Sequence, residues 1–258
     1  MLKNAFKIPK PRMGFFFENR PSFFDSSRNA FLNVFKGSAI QDCDMVLTSG
    51  AVNFQSDFGS NERSCVRLND SAIFEFRQPI PFQGTMVIIA RVDLTGGSGT
   101  RNYYPILCNN NANGNVVPNV RFGFFSGNAS FRHTCGSSGV QNIISGFSHG
   151  PEEEFLFAGA FDQARREAAY ILNDGAPAQG TTSAVTANGN AMAFGGLQKA
   201  RFGDIDNDNT VSNPALADHL DVAALLFYGG NAVKDAEASV DALYAEANQY
   251  YGLRYSSS

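Results

Sequence analysis

Residues 153–175, EEFLFAGAFDQARREAAYILNDG, constrain the fold more than any other stretch. Phe155, Phe157, Gly159 and Phe161 stand two apart, Asp162 to Glu167 interrupt them, and Ala169 and Ile171 resume the run before Asn173-Asp174-Gly175. A period of two sends alternate side chains to opposite faces of a strand, so this spacing predicts a strand, a polar turn, a second strand and a tight turn. Composition points the same way. Only 17% of the 258 residues are charged while 25 are Gly and 24 are Phe, a balance that suits short strands joined by Gly- and Asn-rich turns. A chain of this length buries a substantial core, and the expectation is one main all-β domain.

The remaining apolar runs extend that reading. Val66 and Leu68, then Phe74 and Phe76, alternate with polar residues about a turn at Asn69-Asp70-Ser71. Met86 to Val92 is nearly continuous and apolar, as for a strand covered on both faces. Residues 104–108 and 120–133 predict a strand and a hairpin, and Gly136 to Gly150 reads as a loop of Gly and Ser character. Val240, Leu243, Tyr244, Ala247 and Tyr251 form a helical stripe, with Asp235 as its N-cap and Gly252 as its stop.

Several of these segments resemble the laminin-G-like, concanavalin A-like lectin and glucanase superfamily. Ala160-Phe161-Asp162 and Tyr170-Ile171-Leu172-Asn173-Asp174-Gly175 are similar to the two ends of its central hairpin, and residues 65–94, CVRLNDSAIFEFRQPIPFQGTMVIIARVDL, to its opening strands. Ala193-Phe194-Gly195-Gly196, Ala200-Arg201-Phe202-Gly203, Leu220 to Tyr228 and the closing helix follow in the family's order. The resemblance covers about residues 60–252 and implies a two-sheet jelly-roll sandwich with a short C-terminal helix. Lectins, glycosidases and structural modules share that fold, so it implies no single activity.

Residues 1–40 differ from the rest. Seven basic residues, Lys3, Lys7, Lys10, Arg12, Arg20, Arg28 and Lys36, face only Glu18 and Asp25, so the segment carries +5; the total of −4 leaves −9 in residues 41–258. Pro9 and Pro11 keep the first dozen residues extended. Phe15, Phe16, Phe17, Phe23 and Phe24 then read as anchors, with Lys7, Lys10, Arg12 and Arg20 steering an assembly arm onto an acidic neighbour or a sister subunit. The alternative is that the Phe-rich part is an ordinary first strand. The expected division is an arm over 1–40 and a sandwich over 41–258.

Candidate chemistry is sparse. The E-x-D-x-x-E pattern that projects two carboxylates from one strand in such glucanases is missing, and Glu152-Glu153-Glu154, being consecutive, reads as a solvated run. There is no Trp for a sugar platform, though Tyr103, Tyr104 and Tyr228 are available. Asp204, Asp206 and Asp208 alternate as oxygen ligands for calcium would, but Asn209 and Ala215 replace the Gly and Glu of an EF-hand, and a polar turn is the competing reading. His133, His149 and His219 are scattered, and Cys43, Cys65, Cys108 and Cys135 form no C-x-x-C pair and read as free thiols. No nucleotide motif or cofactor site is present. The net negative charge gives no reason to expect nucleic acid, and no apolar run reaches membrane-span length.

These features lead to the expectation of a non-enzymatic virion component, such as a phage capsid decoration or tail protein, made in the host cytoplasm without a signal peptide and partnered through its arm. The competing expectation is a free carbohydrate-binding lectin module, with a glycoside hydrolase or lyase behind it.

Overall fold

A computed structural model describes residues 11, 13–35, 44–68, 72–76, 80–81, 84–93, 104–109, 120–125, 130–134, 141–145, 153–162, 167–173, 178–181, 193–194, 201–203, 219–228 and 237–255. Among them, two antiparallel sheets form a jelly-roll sandwich with one helix, as expected. The first sheet runs β16 (Ala178–Thr181), β15 (Glu167–Leu172), β14 (Glu154–Asp162), β9 (Gly84–Asp93), β19 (His219–Tyr228), β6 (Arg63–Leu68) and β5 (Asn53–Phe58), with β1 (Met13–Phe16) also on β19. The second runs β13 (Gln141–Ser145), β12 (Ser130–Thr134), β11 (Val120–Phe125), β10 (Tyr104–Asn109), β18 (Arg201–Gly203), β7 (Ile73–Phe76), β4 (Met45–Ser49), β3 (Ala30–Phe31) and β2 (Phe24–Asp25). A small ribbon pairs β8 (Ile80–Pro81) with β17 (Ala193–Phe194), and α1 (Glu237–Tyr251) closes the chain.

The first sheet is apolar on both faces. Phe15 and Phe227 meet Phe76 of the second sheet edge-on at 5.7 and 6.1 Å, which fixes the inter-sheet side. On the other side Val87, Ile89, Leu156, Ala158 and Leu226 pack with Val240, Leu243, Ala247 and Tyr251 of the helix. The unbroken apolar run of β9 therefore has the reason read from it, a cover on each face. A bulge between Val222 and Ala224 shifts the register of β19 against β9, so that Asp221 and Leu226, five apart, both reach the helix side.

The helix stops where expected, and the turn joining β5 to β6 finishes it. Gly252 adopts φ 66° and donates to the Asn248 carbonyl. The last carbonyls, which have no partner inside a helix, accept from that turn: Asn61 Nδ2 reaches those of Gln249 and Tyr250, Arg63 Nε that of Tyr250, and the backbone N–H groups of Ser60 and Asn61 those of Gly252 and Tyr251. Gly59, at φ 69°, lies so close that an added Cβ would stand 1.9 Å from the Tyr251 carbonyl oxygen.

Three expectations need correction. Residues 13–35 are not a projecting arm: β1 pairs with β19, while β2 and β3 extend the second sheet, so this segment is stitched into both. Phe15, Phe16, Phe17, Phe23 and Phe24 are all buried, with Phe17 against Phe31 at 4.6 Å and Phe16 against Phe23 at 5.7 Å. As β6 gives up the edge of β19 after Val222, β1 takes it from Ala224 to Phe227, and the open edge is what draws the aromatic strand in. The sequence 66–76 is not one strand pair but two strands in different sheets, β6 and β7. Within the Gly- and Ser-rich stretch 136–150, residues 141–145 form strand β13.

Burial of those rings predicts the outcome of truncation. Losing one buried Phe side chain costs about 3–5 kcal/mol, against a total stability of roughly 5–15 kcal/mol for a domain. Deleting residues 1–28 is therefore expected to abolish the cooperative thermal transition in circular dichroism; a truncated chain that still melts cooperatively would refute this placement. Gly59→Ala is expected to lose at least about 1–2 kcal/mol in urea unfolding, from its backbone conformation alone.

Candidate functional site

Two places in the sandwich concentrate polar chemistry, and they lie on different sheets. The first is a charged row across the helix side of the first sheet. Register aligns Glu154 with Arg91, Arg91 with Asp221, Asp221 with Arg67, and Arg67 with Asn53, so charge alternates across four adjacent strands. Opposite charges directly across strands support one another.

This row is buried. The Glu154 and Asp221 side chains are 0% exposed and that of Arg91 is 3% exposed. Arg91 Nη2 and Nε donate to Asp221 Oδ2 at 2.6 and 3.0 Å, and Nη1 donates to Glu154 Oε1 at 3.3 Å. Arg67 holds Asp221 from the other side with two parallel bonds of 2.7 and 2.8 Å. Burial pulls the Arg91 guanidinium down, yet hydrogen bonding to Asp221 and the charges of Asp221 and Asp57 leave it raised overall. The hydrogen bonds that Arg67 donates to Asp221 likewise raise its guanidinium.

The C-terminal residues close the row. Arg254 donates to both oxygens of Glu154, from Nε at 2.9 Å and also from Nη2, and its backbone N–H donates to Glu154 Oε2 at 3.2 Å. The Gly59 N–H adds a bond of 3.1 Å to Glu154 Oε1, so the carboxylate also fixes the turn that caps the helix. Glu154 is thus corrected from solvated run to buried anchor; five donors, with Arg91 Nη1 counted, compensate its desolvation. Nearby, Glu18 accepts from the Tyr250 hydroxyl at 2.9 Å and pairs with Arg20 at 3.1 Å. Burial, then that hydrogen bond, pushes the Tyr250 hydroxyl up to about 12.

The second place is the face of the nine-stranded sheet turned away from the first sheet. Phe74 is buried toward the interior, and the same register line carries Leu47, Phe202, Leu107, Phe122 and His133. The alternate line, on the opposite face, reads Val46, Glu75, Arg201, Cys108, Arg121, Thr134 and Gln141. Helix α1 and the segment around Phe16 and Phe23 pack on the first sheet, so neither covers this face. Glu75 and Val46 are half-buried there.

Other candidate residues fall elsewhere. Asp204, Asp206 and Asp208 lie outside the described residues, as do Lys7, Lys10 and Arg12, and among the described residues no cluster of His, Cys, Asp and Glu could hold a metal ion. Arg20 is exposed and tied to Glu18. Tyr228 is no platform: it packs half-buried against the helix-side core, and its buried hydroxyl has no hydrogen-bond partner among the described residues. Cys65 is a buried free thiol, raised by burial and then by Asp221. Among the described residues no helix is long and apolar enough to cross a membrane. Sequence reasoning passed over the charged row although it left a signal: Arg91 and Asp221 each interrupt an otherwise apolar run.

No family model matches the chain, and no curated protein matches it. Solved structures similar to it include the CBM40 of a Ruminococcus gnavus IT-sialidase, at 12% identity and TM-score 0.45, covering 77% of this chain and 98% of that one. A prokaryotic β-1,3-1,4-glucanase (lichenase) from a mouse hindgut metagenome is similar at 10% identity and TM-score 0.40, over 84% and 98% of the two chains. Rv0315, a pseudo β-1,3-glucanase of Mycobacterium tuberculosis, is similar at 10% identity and TM-score 0.41, over 86% and 93%. At these values the similarity transfers neither a ligand nor an activity.

The charged row yields a stability prediction. Arg91→Met leaves Glu154 and Asp221 with fewer partners in a buried place, and breaking such a pair costs about 3–5 kcal/mol. Arg254→Ala, whose side chain is 48% exposed, is expected to cost no more than about 1 kcal/mol. Urea unfolding of both variants checks the order; equal losses would contradict it.

Proposed function

We propose that this chain is a non-catalytic carbohydrate-binding module whose ligand surface is the outer face of the nine-stranded sheet. The observation that carries this reading is the contrast between the two sheets. Helix α1 and the N-terminal segment close the helix side of the first sheet, whereas register in the second sheet places Glu75, Arg201, Arg121, Thr134 and Gln141 on one line, on the face opposite Phe74. Planar acceptors and donors on a rigid sheet suit the hydroxyl-rich surface of a sugar, because the scaffold has lost its freedom before binding.

The chemistry of the covered face supports binding without cleavage. Glycoside hydrolysis requires one carboxyl group to donate a proton and another to act as nucleophile or base, both in reach of the sugar. Glu154 and Asp221 share a face on strands two apart, yet Arg91 sits between them and the C-terminal residues lie over Glu154. Both carboxylates are 0% exposed and committed to guanidinium donors, so neither is presented to a sugar. The alternative role, as a particle component docked through aromatic anchors, loses its support with those rings in the core.

The test is binding of the full chain to a glycan array, followed by titration calorimetry on the best ligand. A bound glycan is expected, with Glu75→Ala and Arg201→Ala each weakening it at least about tenfold and no reducing ends released on prolonged incubation. An array without a ligand would overturn the proposal, and so would turnover.

A further inference from the structure

The carboxylate of Glu154 is held by donors of two kinds. Arg91 Nη1 at 3.3 Å and the Gly59 N–H at 3.1 Å belong to the sheet and to the turn that caps the helix. The other three donors among the described residues all come from Arg254: its N–H at 3.2 Å, its Nε at 2.9 Å and its Nη2. Glu154 returns one bond, from its own N–H to the Arg254 carbonyl at 3.1 Å. Arg254 is therefore clipped onto Glu154 through its backbone as well as through its guanidinium.

Burial separates the seat from its occupant. The Glu154 side chain is 0% exposed and that of Arg254 is 48% exposed, so the seat opens to solvent through the place that the guanidinium fills. The seat does not need its occupant to keep its shape. Asp221 fixes Arg91, and bonds from the Ser60 and Asn61 N–H groups to the Gly252 and Tyr251 carbonyls fix the turn that carries Gly59. Nor does the occupant belong to the helix, which ends at Tyr251 and is stopped by Gly252 at φ 66°. Residues 253–255 are half-buried or exposed. A segment with few buried apolar contacts opens at lower free energy than the core it rests on, and an ion pair with one half-exposed partner adds little to hold it.

We infer that Glu154, Arg91 and the Gly59 N–H form a binding seat for an arginine in a peptide segment, which residues 253–255 fill in cis as a strap that opens without unfolding the helix. The two oxygens of Glu154 accept Nε and Nη2 of one guanidinium. That planar fork is what a lysine, as a single point of charge, does not reproduce. The ligand is a peptide and not a free guanidinium compound, because Arg254 also spends its backbone N–H and carbonyl on Glu154. An incoming segment meets a competitor that is tethered to the seat and present at high effective concentration. Its apparent affinity is lowered by the fraction of molecules in which the strap is closed.

Nuclear magnetic resonance on the full chain tests it with two end-capped peptides, Gly-Leu-Arg-Tyr, which repeats residues 252–255, and Gly-Leu-Lys-Tyr. In Arg254→Ala the arginine peptide is expected to shift the Gly59 and Glu154 amide signals. It is expected to bind that variant at least about threefold more tightly than the unchanged chain, where the strap competes, and at least about threefold more tightly than the lysine peptide does. Hydrogen exchange supplies a measurement that needs no variant. The Glu154 and Arg254 amides, which donate across the same contact, are expected to exchange together and at least about tenfold faster than the amide of Ala247 inside the helix. Equal protection of Arg254 and Ala247 overturns the strap. An arginine peptide that leaves Gly59 and Glu154 unshifted in Arg254→Ala overturns the seat, and a lysine peptide bound as tightly as the arginine one overturns the fork.

Discussion

Arg91 is the residue around which the first sheet is balanced. A guanidinium taken out of water in the middle of an apolar sheet is costly unless its donors are met, and the neighbouring strands meet them with Asp221 on one side and Glu154 on the other. Each carboxylate then has oxygens left over. Arg67 takes those of Asp221, while the Gly59 N–H and Arg254 take those of Glu154. One buried cation thereby fixes the alignment of four strands, the turn that caps the helix and the position of the C-terminal residues. A slip of one residue in any of these strands would send its charge to the inter-sheet side, among Phe15, Phe76 and Phe227, where none of those partners follows.

The N-terminal segment performs the complementary apolar task. β6 covers the edge of β19 only as far as Val222, which leaves half of a buried strand without backbone partners. β1 supplies them, and Phe17 continues with a bond from its N–H to the Ala223 carbonyl. Alternation along β1 then sends Phe15 and Phe17 between the sheets and Phe16 to the helix side, where it meets Phe23 and Phe35. Three consecutive aromatics are the pattern of a strand buried on both faces.

That explains which parts were legible in the sequence. Strands with strict alternation or unbroken apolar runs, such as β9, β14, β15 and β19, could be read directly, as could the helix stripe from Val240 to Tyr251 and its stop at Gly252. Phe15-Phe16-Phe17 was misread because its period is one rather than two, and because its neighbours are basic; nothing local says that a distant strand, β19, has an edge to fill. Glu154 was misread for the related reason that its partners, Arg91 and Arg254, lie 63 and 100 residues away in sequence. The pairing of charged residues is a property of register, and register is settled between strands rather than within them. The charged register line of the second sheet was illegible for the same cause, since Glu75, Arg201 and Arg121 align only once β7, β18, β10 and β11 are paired.

The two sheets therefore divide the work between them. Charge in the first is matched donor for acceptor and closed under a helix and a C-terminal segment, so it contributes specificity of folding. In the second, register gathers charged positions on the face opposite Phe74, which neither cover reaches. A sheet held from one side by a packed core is a rigid platform, and rigidity lowers the entropy a ligand must overcome. Had the helix packed on the second sheet instead, Arg91 and Glu154 would face water beside Phe16 and Leu226. The side chosen by the helix, which follows from where Val87, Ile89 and Leu156 present their apolar surface, thus decides which charges of the molecule are closed from water.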